Sequence, residues 1–146
     1  NLPDLMPALG AGWREVDRNV MGEWYTYLIL GYGIDPATQI EDESAAEAAA
    51  GWEGDTYLVY YNDADAQAVV VMRTLWESPT DATQFSNTFQ DYAEARFDTD
   101  TLGTDEVRFW RFPGGYATLL QSGAQTTWVL APDETNAQLV LDAIGQ

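Results

Sequence analysis

The stretch "AAAGWEGDTYLVYY", residues 48–61, contains the change of hydrophobic period from which the fold is read. Alanines run up to Ala50, and Ala has the best intrinsic helix propensity; upstream, Glu41, Asp42 and Glu43 crowd the start of the same segment, where acids complement a helix dipole. From Tyr57 onward the period is two, with Tyr57, Val59 and Tyr61 alternating with Leu58 and Tyr60 as in a strand. Between the two regimes stands Gly51, placed to end the helix with a positive φ, and Trp52 follows where a hydrophobic contact back to the last turn is common. Gly54-Asp55 supplies a second turn. On this reading residues 51–55 are a joint. A second reading makes Trp52 an exposed stacking platform with Glu53 and Asp55 beside it, as in a sugar or cation site, so these three are candidate ligand-binding residues.

Working outward, the polar cluster Asn62 to Asp65 interrupts the strand pattern and Ala68 to Trp76 resumes it, which reads as a β-hairpin. Ser78-Pro79-Thr80-Asp81 then carries the marks of a helix start: a capping Ser, Pro in the first turn and an acid three residues after the cap. Ala82, Phe85, Phe89 and Tyr92 mark one apolar face of that helix, and FDTDTLGTDE, residues 97–106, reads as a loop. Short strands are expected at Glu106 to Phe112, Tyr116 to Gln121 and Gln125 to Leu130, followed by a final helix that buries Ala137, Val140, Leu141 and Ile144 and ends at Gly145. On the N-terminal side, residues 1–12 read as irregular, Trp13 to Asp17 as a short strand and Gly22 to Leu30 as a helix. The sum is a single α+β domain over residues 1–146: an antiparallel sheet of about five strands with helices packed on at least one face. Residues 56–97 and 116–144 share a strand, strand, helix order that suggests a ββα pseudo-repeat.

One resemblance rests on these residues. A helix ending Ala-Ala-Ala-Gly-Trp-x-Gly-Asp, a strand rich in tyrosine, and then Trp76-x4-Asp81-Ala82-x2-Phe85 resembles an uncharacterised domain of exported or surface proteins in bacteria and haloarchaea, over roughly residues 22–97. The chain departs from that pattern at Glu53, where Gly is expected, and at Thr56, where a basic residue is common. The resemblance implies an exported, extracytoplasmic setting and brings no catalytic residue with it.

The composition removes several chemistries. The chain has no Cys, no His and no Lys, and all 6 basic residues are Arg. Thiolate or imidazole zinc sites, thiol nucleophiles, histidine-based triads, lysine Schiff bases and the P-loop lysine are therefore excluded within it. The net charge of -18 opposes nucleic acid and anionic membrane surfaces and favours neutral or basic small molecules or protein partners. No run approaches the roughly 18 to 20 apolar residues of a membrane-spanning helix, and the start lacks the n- and h-regions of a signal peptide. A chain that begins at Asn1 without Met is expected to be the matured part of an exported precursor or a piece of something longer.

Two acidic features invite a site. The loop containing Asp98, Asp100, Asp105 and Glu106 begins like an EF-hand and is a candidate for weak Ca2+ binding, although Leu102 and Phe109 stand where that motif needs oxygen ligands. Carboxylate pairs among the 24 acids could serve glycoside hydrolysis, and Glu23, beside Trp24 at the head of an apolar segment, stands out among them. Arg73, Arg108 and Arg111 read as ion-pair partners in an acidic surface. The functional expectation is a non-catalytic extracytoplasmic accessory or ligand-binding module with no cofactor. A carbohydrate hydrolase and a calcium-dependent binding module are the alternatives.

Overall fold

The computed structural model describes residues 1–145. The joint at residues 51–55 is where helix gives way to sheet. Helix α3, Asp42–Ala49, ends at Ala50, Gly51 follows at φ +80°, and strand β2 runs Trp52–Asn62. A Cβ at Gly51 would lie 2.6 Å from Asp81 Cγ, so Gly is required twice, for its backbone conformation and for the close approach. The Gly51 carbonyl accepts the Glu77 N–H at 2.7 Å, so the joint is sewn to the entry of the next helix. Glu53 is the residue extruded by a β-bulge: Trp52 pairs with Trp76 and Gly54 with Leu75.

Strand β3, Gln67–Trp76, closes the hairpin with β2, and helix α4, Pro79–Phe97, follows. Ser78 caps α4 by accepting the Asp81 N–H at 3.2 Å and donating its hydroxyl to the Asp81 carboxylate at 2.6 Å. The rest of the chain supplies β4, Leu102–Gly103; β5, Val107–Phe112; β6, Gly115–Ser122; β7, Gln125–Ala131; and α5, Glu134–Ile144, capped by Asp133. Before the joint lie α1, Met6–Leu9; β1, Trp13–Asn19; and α2, Glu23–Gly31.

Among the described residues the seven strands form one antiparallel sheet in the order β1-β2-β3-β7-β6-β5-β4. The sheet therefore has seven strands, not about five. β1 pairs along β2 as one edge, and β4 arises inside the stretch read as a loop, where Leu102 pairs with Phe109 and Gly103 with Arg108. Residues 6–9, read as irregular, form the short α1.

Helices cover both faces. Leu58, Tyr60, Val69, Val71 and Val129 meet Leu5 and Leu9 from the α1 segment and Ala137, Val140 and Leu141 from α5 on one side. On the other, Trp76, Trp110, Ala117 and Leu119 meet Leu30 of α2, Ala45 and Ala48 of α3, and Phe85 and Phe89 of α4. The run Val69 to Met72 is apolar at every position because β3 is central, with Val69 and Val71 buried on one face and Met72 on the other. The two ββα stretches send their helices to opposite faces, α4 to one and α5 to the other.

Candidate functional site

The joint residues divide by role. Asp55 points to the α2 side of the sheet and accepts three hydrogen bonds: from Met21 N–H at 2.6 Å, Gly22 N–H at 2.7 Å and the Trp52 indole N–H at 2.9 Å. Helix α2 starts after Gly22, which has no side chain to cap it, and Asp55 stops the chain there instead. A carboxylate from a strand thus takes up backbone donors at a helix entry 33 residues earlier. Trp52 is half-buried against the α2–α4 core, and Glu53 projects from the bulge into solvent. Of the three candidate ligand-binding residues, Trp52 and Asp55 are brought together as a clasp, while Glu53 stands apart.

The clasp fixes the first turn of α2, and beside that turn lies a cleft of about 330 Å3 lined by Glu23, Trp24, Tyr27, Ala46 and Ala49. Trp24 is 66% exposed, and its ring lies 5.3 Å from that of Tyr27, which in turn sits 5.4 Å from Tyr32. The small Ala46 and Ala49 side chains of α3 leave the room between the helices. Tyr25, Tyr32 and Ile34 add to the exposed apolar surface of α2 and the turn after it. The sequence did signal this: EWYTYLILGYG has no polar face, so a helix built from it must present aromatics beyond those the core can take.

Asp42, at the start of α3, accepts hydrogen bonds from the hydroxyls of Tyr27 and Tyr32, the latter at 3.0 Å. These bonds hold the Asp42 carboxyl below the usual carboxylate range, and the bond to Asp42 pushes the Tyr27 hydroxyl upward. The folded-state value is the depressed one, so the link is fully present above the ordinary carboxylate range and is lost as pH falls through the lowered Asp42 value. In Tyr27→Phe the Asp42 midpoint should rise toward the ordinary value, as followed by carboxyl carbon NMR across an acid titration. An unchanged midpoint would mean the tyrosine does not tie α2 to α3.

The four acids considered for calcium are spread from the end of α4 to the β4–β5 turn. Asp98 ends α4 in the left-handed conformation at φ 51°, Asp100 follows, and Asp105 and Glu106 lie in the turn into β5. Among the described residues no three His, Cys, Asp or Glu side chains are grouped so as to hold a metal. The segment is instead organised by Thr101, whose hydroxyl donates to Glu94 at 2.6 Å and accepts the Trp110 indole N–H at 2.8 Å.

The arginines correct the expectation of uniform surface ion pairs. Arg111 donates three hydrogen bonds to Glu134, from Nε and Nη2, and does sit at the surface. The Arg108 side chain is 5% exposed, donates to Asn87 at 2.8 Å, and reaches Asp105 only at 3.7 Å. It is buried because its strand faces α4. Arg73 has no ion pair among the described residues.

Comparison with known proteins bears on fold and family. The crystal structure of the extracellular domain of PknH from Mycobacterium tuberculosis is similar, with a TM-score of 0.63 at 10% sequence identity, over 99% of this chain and 91% of that one. At that identity the likeness concerns the fold alone. No curated protein matches the chain significantly. A family model does: residues 9–141 match the one described as Domain of unknown function (DUF8575), a span that takes in both the Trp52–Asp55 clasp and the α2–α3 cleft. The chain belongs to that family, Domain of unknown function (DUF8575).

Proposed function

We propose that the chain is a non-catalytic extracytoplasmic binding module, and that its recognition surface is the cleft between α2 and α3. The occupant is a cationic group on an apolar stem, such as an alkylammonium or a basic side chain of a protein partner. The observation that carries this is the pairing of Glu23 with the exposed Trp24 and the adjoining Tyr27 at one concave site. Aromatic faces attract cations, a neighbouring carboxylate adds to that attraction, and a net charge of -18 concentrates cations around the whole molecule. Trp52 and Asp55 serve as the frame of the site, and Glu53, exposed on the bulge, is not among the residues lining it. The extracytoplasmic setting is supported by the fold shared with an extracellular domain.

The alternatives draw less support. Glycoside hydrolysis needs two carboxyl groups facing one another across the substrate, and Glu23 is the single acid among the residues lining this cleft. A calcium module would need ligands drawn from Asp98, Asp100, Asp105 and Glu106, which are spread from the end of α4 to the β4–β5 turn without grouping in threes among the described residues.

The test is a titration of the indole N–H signals with butylammonium, using butanol as the neutral control at equal ionic strength. A saturable shift of the Trp24 signal with the ammonium alone is expected. Trp24→Ala should weaken binding by about 0.5 to 2 kcal/mol while leaving the unfolding midpoint unchanged, since the ring is mostly exposed. Equal shifts with butanol, or binding unaltered in Trp24→Ala, would remove the reading.

A further inference from the structure

The opposite face of the sheet carries a cavity of different chemistry. It measures about 310 Å3 and is lined in part by Leu2, Gly54, Thr56, Arg73, Leu75 and Gln125. Strand register explains its make-up: Gly54, Leu75 and Gln125 form one cross-strand row on β2, β3 and β7, and Thr56, Arg73 and Thr127 form the next. Arg73 stands at the centre of the inner row. Asp55 also borders the cavity, but its carboxylate oxygens are engaged by Met21, Gly22 and Trp52.

Arg73 is anomalous in this chain. Four of the six arginines have a carboxylate within ion-pair distance, and Arg96 is exposed to solvent. Arg73 is half-buried and, among the described residues, has no carboxylate within ion-pair distance despite the 24 acids in the sequence. Among the described residues its one side-chain hydrogen bond is a long one, 3.4 Å, from Nη2 to the Ile144 carbonyl at the end of α5. Its Nε and the Thr127 hydroxyl in the same row are both buried without a partner among the described residues. A partly desolvated cation without a counter-charge is costly, and burial pushes the guanidinium pKa downward.

We propose that this cavity is a binding site for a small aliphatic carboxylate, with the carboxylate on the Arg73 guanidinium and the hydrocarbon over Leu75 and Leu2. Leu75 is 47% exposed and adjoins Arg73 on the same face, so a ligand with an apolar stem covers both. One guanidinium balances a single negative charge, and the net charge of -18 disfavours a multiply charged anion such as phosphate. The site lies on the other face of the sheet from the α2–α3 cleft and stands independently of the function proposed for it.

The experiment is an amide NMR titration with butyrate at constant ionic strength, with butanol, butylammonium and inorganic phosphate as controls. Saturable shifts at Thr56, Arg73, Leu75 and Gln125 with butyrate alone are expected. Arg73→Gln should weaken them about tenfold or more, the effect of losing a charge-assisted hydrogen bond. Gly54→Val gives a second route: a Cβ there meets nothing within 4 Å, so the fold accepts it while the side chain fills the cavity, and binding should be lost. The proposal is overturned by shifts that do not saturate, by equal shifts with butanol or phosphate, or by butyrate binding that survives both substitutions. It is equally overturned if butyrate leaves the parent unchanged and Arg73→Gln only lowers stability, since Arg73 is then simply a cap on the carbonyl end of α5.

Discussion

Asp55→Ala is expected to destabilise the protein by about 3 kcal/mol, because hydrogen bonds to a charged group contribute about 1.5 to 3 kcal/mol each and the three at Asp55 form one unit that does not add fully. Three donors lose their acceptor at once: the Met21 and Gly22 amides and the Trp52 indole. The effect reaches the candidate site, because the first turn of α2 carries Glu23 and Trp24 and would no longer be held to β2. Asp55→Asn should recover part of the loss, since an amide keeps one acceptor oxygen but turns a donor toward donors. Glu53→Ala, two residues away on the bulge, should stay within about 0.5 kcal/mol of the parent, as for other exposed positions. Urea unfolding of the three variants decides this. An Asp55→Ala protein as stable as Glu53→Ala would show that the clasp contributes nothing.

Phe89→Ala should cost about 3 to 5 kcal/mol, the range for removing a fully buried aromatic ring. Phe89 is 1% exposed and sits at the hub of an aromatic cluster, 5.2 Å from the Trp128 ring, 5.6 Å from Phe85 and Tyr92, and 5.8 Å from Trp110. Those rings come from α4, β5 and β7, so the cavity left behind cannot be closed by movement of one element. Phe89→Leu retains most of the volume and should cost less, about 1.5 kcal/mol. Calorimetry or urea unfolding measures both. A loss below about 1 kcal/mol in Phe89→Ala would mean that α4 packs on the sheet without this ring as its anchor.

How far the candidate site was legible depends on the range of the interactions that make it. Gly51 and Trp52 were legible as a joint because turn chemistry acts within a few residues: Gly51 does take positive φ, and Trp52 does fold back onto a helical layer, whereas Gly54-Asp55, read as a second turn, lies inside strand β2 just after the Glu53 bulge. The partners of Asp55 were not legible, because Met21 and Gly22 are 34 and 33 residues away and no spacing rule connects a strand carboxylate to a helix entry before it. Glu23 and Trp24 stood out in the sequence, but the cleft exists only because α3 places Ala46 and Ala49 opposite them. Arg73 was correctly assigned to the face opposite Met72 by period-two alternation, yet its lack of an acidic partner among the described residues could not be read from a chain with four times as many acids as arginines.

The sequence by itself determined the local elements and the chemistries that are absent. Ser78 and Asp133 cap the helices expected there, Gly145 ends the last one, and the hairpin and meander strands lie within a few residues of their expected positions. Each depends on hydrogen bonds and side-chain periodicity that span only one or two turns of chain. Tertiary structure alone decided the seven-stranded order with β3 beside β7, the helices on both faces, the two residues of β4, and which polar groups have no partner among the described residues. Those outcomes follow from burying two apolar faces of one sheet at once. The closure of long loops and the matching of distant surfaces that this requires have no counterpart in local pattern.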